Sequence, residues 1–250
     1  MTLLAAEQLT KRFGGLRAVD GVDLQLEPGE IVGVIGPNGA GKTTLFSLLA
    51  GSQAPSAGRV LIDGQPMRGP PAFRAVRAGI VRTHQIVRPF GALTVLENAL
   101  VAAQNGCGSR AHSSTARDRA LASLKLVGLH DRRDHFPGSL TLAGRKRLEL
   151  ARALSTEPRA LLLDEVIAGV NPSEALEMAA LIRRMRDERG VAILIIEHVM
   201  AALMSLSQRV IVLDAGRKIA EGLPQAIARD PEVIAAYLGK SAAEHQGVPA

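Results

Sequence analysis

The sequence predicts an α/β fold with a mostly parallel sheet, and three observations carry that prediction. Short, near-continuous apolar runs alternate with segments of helical periodicity in the second half of the chain. A glycine-rich turn, Gly36 to Gly41, sits between one such run and a helix. A middle section from about 86 to 137 shows helical patterns and no strand pattern, so it reads as a helical insertion within the α/β domain.

Taken in order, the first thirty residues alternate loosely between turn signals at Gly14-Gly15, Gly21 and Pro28-Gly29, which predicts short antiparallel strands. EIVGVIG (Glu30 to Gly36) is a short buried strand, and KTTLFSLLA is the helix that Gly51 ends. GRVLIDGQPM (Gly58 to Met67) reads as a further strand and turn. Thr94 with Glu97 makes a capping box ahead of VLENALVAAQ, and a second helix covers about 115 to 127 until Gly128 closes it. Then come a helix from about Arg145 to Leu154, the strand RALLLDE, and a helix starting at Asn171-Pro172, a cap followed by a first-turn proline. Met178, Leu181, Ile182 and Met185 give that helix one apolar face. The strand VAILIIEH, a helix of about 199 to 207 and the strand RVIVLDAG complete the pattern.

Composition narrows the function classes. The chain has 250 residues, enough for one large domain, and 47% of them are apolar, mostly aliphatic. One Tyr and no Trp argue against base-stacking platforms of the single-strand-binding kind. Lys and Arg outnumber Asp and Glu by 30 to 24, without a run of five or six like charges, which reads as solvated helix surface. A single cysteine, Cys107, forms no internal disulfide and fits a reducing compartment. No stretch approaches the ~18 apolar residues of a membrane span, and the N-terminus carries no secretory signal pattern. The chain is expected to be cytosolic, with any link to a membrane made through partners.

GPNGAGKTT (Gly36 to Thr44) fits G-x-x-x-x-G-K-[ST] in its required strand-to-helix setting. The glycines Gly36, Gly39 and Gly41, with Pro37, Asn38 and Ala40 between them, let successive backbone N–H groups curl around phosphate oxygens. Lys42 is expected at the β- and γ-phosphates, the Thr43 hydroxyl on Mg²⁺, and Thr44 beside it at the helix start. ALLLDE (Ala160 to Glu165) delivers Asp164 to a strand's carboxyl end as an Mg²⁺ ligand and Glu165 as the residue orienting the attacking water.

With these two motifs in place the sequence resembles the ATP-binding subunits of ABC transporters over nearly its whole length. The resemblance implies ATP and Mg²⁺ as cofactors and a P-loop NTPase core. It also implies an N-terminal antiparallel β-subdomain and an inserted helical subdomain. It assigns Gln85 in VRTHQ to the Q-loop, as a catalytic and Mg²⁺-binding residue, His198 in LIIEHVM to the switch histidine, and Phe13 in KRFGGLRAV to the ring that stacks on adenine. Taken singly, Gln85 also reads as a surface loop residue, His198 as a cap and Phe13 as core; their order and context favour the assignments. VRTHQ, IIEHVM and the tail GLPQAIARDPEVIAAYLG are similar to the branched-chain amino acid importer branch, to its subunit type with the longer helical insertion. The division this implies is one cassette domain over 1–250. Its core is 1–85 and 138–222, its helical subdomain 86–137 and its C-terminal extension 223–250.

Three departures stand out. Val166 follows Glu165 where the family commonly has Pro, and Asn171 stands where a D-loop Asp is usual. The family's LSGGQQRRVAIARAL has the same length as Leu140 to Leu154, so the ungapped register makes the signature L-T-L-A-G. Thr141 replaces Ser, Leu142 and Ala143 replace the two glycines, and Gly144 follows. In such proteins two subunits pack head-to-tail and each signature closes over ATP held by the other's P-loop. Thr141, Ala143 and Gly144 are thereby expected at the partner's nucleotide, with Ala143 a modest steric demand there. Arg145 and Lys146 are expected either to add charge nearby or to lie solvated on the helix.

The resemblance implies an ATPase that powers a membrane importer for branched-chain amino acids or related small solutes, peripheral on the cytoplasmic face of the inner membrane. Implied partners are integral membrane permease subunits, a second ATP-binding subunit (paralogue or self) and an extracytoplasmic solute-binding protein, with no nucleic acid. The alternatives are the ATPase of an ABC exporter, a soluble ABC-type ATPase acting on nucleic acid or ribosomes, and a small-molecule kinase on a P-loop. The branch-like tail argues against the exporter. Paired cassettes or long coiled insertions, which mark the soluble type, are missing. The ordered Gln85, signature and His198 argue against the kinase.

Overall fold

A computed structural model describes residues 2–67, 69–83, 88–107 and 115–238. The chain begins with a long hairpin, β1 (Leu4–Phe13) and β2 (Leu16–Leu26), turning at Gly14-Gly15. These strands, of 10 and 11 residues, are longer than the short strands that the loose alternation suggested, because register shifts between Ala6 and Arg12 let the pairing continue past polar positions. β3 (Ile31–Ile35) runs into α1 (Lys42–Leu49), followed by β4 (Ala57–Ile62) and the short β5 (Gln65–Pro66). Then come α2 (Phe73–Arg77), β6 (Ile80–Arg82), α3 (Val95–Asn105) and α4 (Ala116–Leu126). Two 3₁₀ turns, His130–Arg132 and Pro137–Ser139, lead to α5 (Leu142–Ser155). The remainder is β7 (Ala160–Asp164), α6 (Pro172–Arg189), β8 (Ala192–Ile196), α7 (Met200–Leu206), β9 (Arg209–Asp214), β10 (Arg217–Gly222), α8 (Pro224–Ile227) and α9 (Pro231–Leu238).

Two sheets result. One is antiparallel, in the order β2-β1-β4-β5. The other has the order β10-β9-β3-β8-β7-β6 and is parallel except for the edge strand β10. Sequence periodicity missed β6, β10 and α2, all of them six residues or shorter and so too brief to show a period.

Every residue of β3, β7 and β8 is buried, so these strands read as continuous apolar runs. Their two faces serve different layers. Leu161, Leu163, Ile193 and Ile195 join a core with α3 to α6, while Val32, Val34, Leu162 and Leu194 join one with α1 and the antiparallel sheet. Each such fully buried aliphatic side chain contributes roughly 1.5–3 kcal/mol. A third, smaller core ties Ile35, Val210 and Val212 to Leu203, Ile227 and Val233.

α3, α4 and α5 pack on one another. The capping box expected of Thr94 with Glu97 starts α3, and Asn171 caps α6 as expected, there in a box with Glu174; Thr115 with Asp118 makes a further box at the start of α4. α5 begins at Leu142, three residues earlier than the periodicity placed it, because Thr141 caps it.

Candidate functional site

The parallel register brings three strand ends to one edge. Asp164 at the end of β7 lies opposite Ile196 of β8, and Ile196 lies opposite Val34 of β3. The loops leaving these strands therefore emerge side by side, carrying the P-loop, Glu165 and His198. They line a cavity of about 490 Å³ together with Phe13, Asn38, Gly39, Ala40, Gly41, Lys42, Thr43 and Thr44, a size suited to a small-molecule ligand. Phe13 comes to this rim from the end of β1 and is 47% exposed, with Lys11 Nζ 5.2 Å from the ring centroid. Leu16 and Arg17, which the motifs did not single out, line it as well.

The loop is possible only with glycine at two of its positions. Gly36 has φ 148° and a Cβ there would run into the Leu213 carbonyl; Gly41 has φ 98° and a Cβ would meet the Ala18 carbonyl. Gly41 also caps α1, so the helix's unpaired N–H groups face the cavity. Lys42 Nζ donates to the carbonyls of Gly36 at 2.6 Å and Pro37 at 2.9 Å. Burial pushes its amine below the ordinary lysine range, and the carboxylates of Glu165 and Asp164 partly offset this.

His198 Nε2 lies 2.8 Å from Glu165 Oε1, so the two side chains share a hydrogen bond. Glu165 has φ 54°, a left-handed conformation that costs a glutamate about 1–3 kcal/mol. Two bonds hold it there: its N–H donates to the Ile196 carbonyl at 2.9 Å, and its carbonyl accepts from Lys146 Nζ at 2.9 Å.

Three residues outside the motifs complete this region. Arg82, last in β6, forms a buried ion pair with Asp164, Nη2 to Oδ2 at 2.6 Å, and its Nη1 donates to Ser47 Oγ at 2.7 Å. Lys146 is buried and also donates to the Ala168 carbonyl at 2.5 Å, so it is neither solvated nor a surface charge. It stands on the buried face with Ala143 and Leu150, three before and four after, which marked it as inward-facing. Glu197 is buried beside it and accepts from the Ile167 N–H at 2.6 Å. Burial pushes its carboxyl up to about 7, against the Ile167 hydrogen bond and the Lys146 charge.

The signature lies apart from this cavity. Thr141 Oγ1 accepts from the Gly144 N–H at 3.1 Å and so serves as the cap of α5. Ala143 is buried within its own chain, whereas Leu142 is 43% exposed. The steric question expected of Ala143 therefore falls on Leu142. Asn171 caps α6, its Oδ1 accepting from the Glu174 N–H at 2.9 Å. Gln85 lies outside the described residues.

Asp164 and Thr43 form an oxygen-only donor pair of the kind a hard divalent cation takes. Among the described residues no group of three or more His, Cys, Asp or Glu side chains would hold a metal unaided. The residues fit a Mg²⁺ whose remaining ligands are phosphate and water.

A phosphate-cradling loop, a strand-end Asp-Glu pair and a histidine on a sheet of this order define a nucleotide-binding ATPase cassette. The ABC transporter model matches residues 19–168, and the model described as branched-chain amino acid ATP-binding cassette transporter matches residues 217–243. The chain is 40% identical to the high-affinity branched-chain amino acid transport ATP-binding protein BraF of Pseudomonas aeruginosa, over 96% of this chain and 98% of that one. It is 42% identical to LivG of Escherichia coli K12, of the same description, over the same shares. A crystal structure of a nucleotide-free ATP-binding cassette from an ABC transporter superimposes with TM-score 0.87 at 30% identity, covering 96% of this chain and 100% of that one. The chain belongs to the ABC transporter family, as an ATP-binding, ATP-hydrolysing subunit of its branched-chain amino acid transport branch.

Proposed function

We propose that two copies of this cassette, or this chain and a paralogue, close head-to-tail on two ATP molecules. The closure drives a permease that imports branched-chain amino acids or related small solutes. The observation that carries the reading is the single cavity holding Phe13, the P-loop, Glu165 and His198. Adenine stacks on Phe13, and the N–H groups at the start of α1, from Gly39 to Thr44, receive the phosphates. Lys42 turns from the Gly36 and Pro37 carbonyls to the β- and γ-phosphates. Thr43 and Asp164, with Gln85, would hold Mg²⁺, which when bound neutralises charge on the β- and γ-oxygens. Glu165 orients the attacking water, and His198, now hydrogen-bonded to it, contacts the γ-phosphate. Thr141, Ala143 and Gly144 present the start of α5 to the partner's ATP.

Gln85 precedes α3 in the sequence and, by the family resemblance, links the site to the permease. No helix among the described residues is long and apolar enough to cross a membrane. The membrane part of the transporter accordingly falls to permease subunits, with this chain peripheral at the cytoplasmic face, and solute choice falls to them and to an extracytoplasmic binding protein. Nucleic acid has no part in this reading. Vesicles carrying the chain, its permease and a binding protein loaded with leucine, isoleucine or valine should hydrolyse ATP faster than with empty binding protein. Equal rates for all three amino acids and the empty protein would overturn the solute assignment. Stimulation by another small solute would replace it.

A further inference from the structure

The amide of Gly36, first residue of the P-loop, donates to the hydroxyl of Tyr237 at 2.7 Å. The two residues are 201 positions apart, and Tyr237 stands in the last turn of α9, in a C-terminal extension to which no role has so far been given. Gly36 is thus held at both ends: its N–H by Tyr237 and its carbonyl by Lys42 Nζ at 2.6 Å. Only the second of these partners belongs to the loop itself.

The extension is built to deliver that hydroxyl. Asp230 Oδ1 accepts from the N–H groups of Glu232 and Val233 at 2.9 and 3.3 Å and so starts α9. Val233 and Tyr237 are four residues apart and share a face of the helix. Val233 is buried in the small core with Ile35, the residue before Gly36, and with Leu203 of α7. α7 begins two residues after His198, and it packs so closely on β3 that a Cβ at Gly33 would collide with the Leu203 side chain. One packed unit therefore contains the tail, the strand feeding the P-loop and the helix following the switch histidine. Burial pushes the Tyr237 phenol up, which keeps it protonated across the working pH range, and the Gly36 N–H opposes this in part.

We propose that Tyr237 is a positioning residue for nucleotide binding: the C-terminal extension fixes the entry of the P-loop by holding the Gly36 amide. The proposal rests on the reading of Gly36 to Thr44 as the phosphate loop. When Lys42 leaves the Gly36 carbonyl for the phosphates, the Tyr237 bond is the remaining side-chain hold on that residue. Without it the loop samples more conformations, and ordering them is charged against nucleotide affinity.

Tyr237→Phe in the full chain keeps the ring and its packing and removes only the hydroxyl. Three quantities decide the matter: ADP affinity by calorimetry in Mg²⁺ buffer, exchange of the Gly36 amide in ¹⁵N-glycine-labelled protein, and melting temperature. The expected result is ADP binding weakened about 3- to 10-fold and Gly36 exchange accelerated by a similar factor, the range of one lost hydrogen bond. Unchanged affinity with unchanged exchange would overturn the proposal, as would a lowered melting temperature with affinity intact, since that is what a purely structural tail contact gives. Lys42→Ala is the companion variant. If it binds ADP as well as wild type, the P-loop reading itself fails; if it loses affinity while Tyr237→Phe does not, only the positioning role fails.

Discussion

The P-loop and the signature face the same substrate in the proposed assembly, yet the chain treats them in opposite ways. Around the P-loop, Lys42 turns on loop carbonyls, His198 on Glu165, Arg82 on Asp164 and Tyr237 on Gly36. Each of these polar groups already has a partner within the subunit. At the signature, Thr141 caps its own helix, Ala143 points inward, and Leu142 stands exposed over the start of α5. A preorganised cradle on one side and an open helix terminus on the other is what a site shared between two subunits requires. The difference teaches that substitutions in the first region act within one chain, whereas those in the second act through the pair.

The largest effect that would test this contrast is at Arg82. Arg82→Met leaves Asp164 buried without its cation, which costs about 3–5 kcal/mol. Thermal unfolding of the isolated chain should show the loss with no partner present. A melting temperature within about 1 °C of wild type, where this loss predicts a shift of several degrees, would mean the pair contributes no net stability. Glu165→Gln comes next. ATP hydrolysis should fall ~10²- to 10³-fold while ATP binding stays within a few-fold, because a water-orienting group is lost and the phosphate cradle is not. Hydrolysis at the wild-type rate would remove Glu165 from the mechanism.

Between the two regions stands a joint, and it was the least legible part of the sequence. The phosphate loop, the Asp-Glu strand end and the strand before His198 could be read because short apolar runs, glycines and capping residues act locally. Helical spacing turns Lys146 inward, but its partners are legible only in three dimensions: it rises from the signature helix to bind the carbonyls of Glu165 and Ala168. Arg82 and Asp164 belong to neighbouring strands whose pairing no local pattern announces. Tyr237 reaches Gly36 across nearly the whole chain. The sequence places the steric demand on Ala143, but helical geometry turns that side chain inward and leaves Leu142 exposed.

Glu197 tests that joint through pH. Its carboxyl is raised from 4.5 to about 7 by burial, so the fold keeps it neutral where the unfolded chain is already ionised. The stability this gives is full below about pH 4.5 and is lost as pH rises through about 7. Glu197→Gln keeps the acceptor for the Ile167 N–H and cannot ionise. Between pH 4.5 and pH 8 its unfolding free energy should therefore climb relative to wild type by an amount on the order of 2–3 kcal/mol, read as a rising melting-temperature gap. A gap that does not change with pH would show that Glu197 does not charge on this interval.

The smallest effect separates the two roles of Thr141, and the signature's trans action depends on it. Thr141→Ala removes the cap of α5 and should cost about 1 kcal/mol in the isolated chain. Thr141→Asp restores the acceptor for the Gly144 N–H and favours the helix dipole, so stability should return to wild type or slightly above. The same carboxylate would stand against the partner's γ-phosphate. ATPase activity of the assembled pair should therefore fall further with Asp than with Ala, although Asp is the more stable protein. If activity instead follows stability, with Asp near wild type and Ala reduced, Thr141 is a cap and nothing more. The hydroxyl would then have to be struck from the shared site, leaving the α5 terminus itself as the group that addresses ATP.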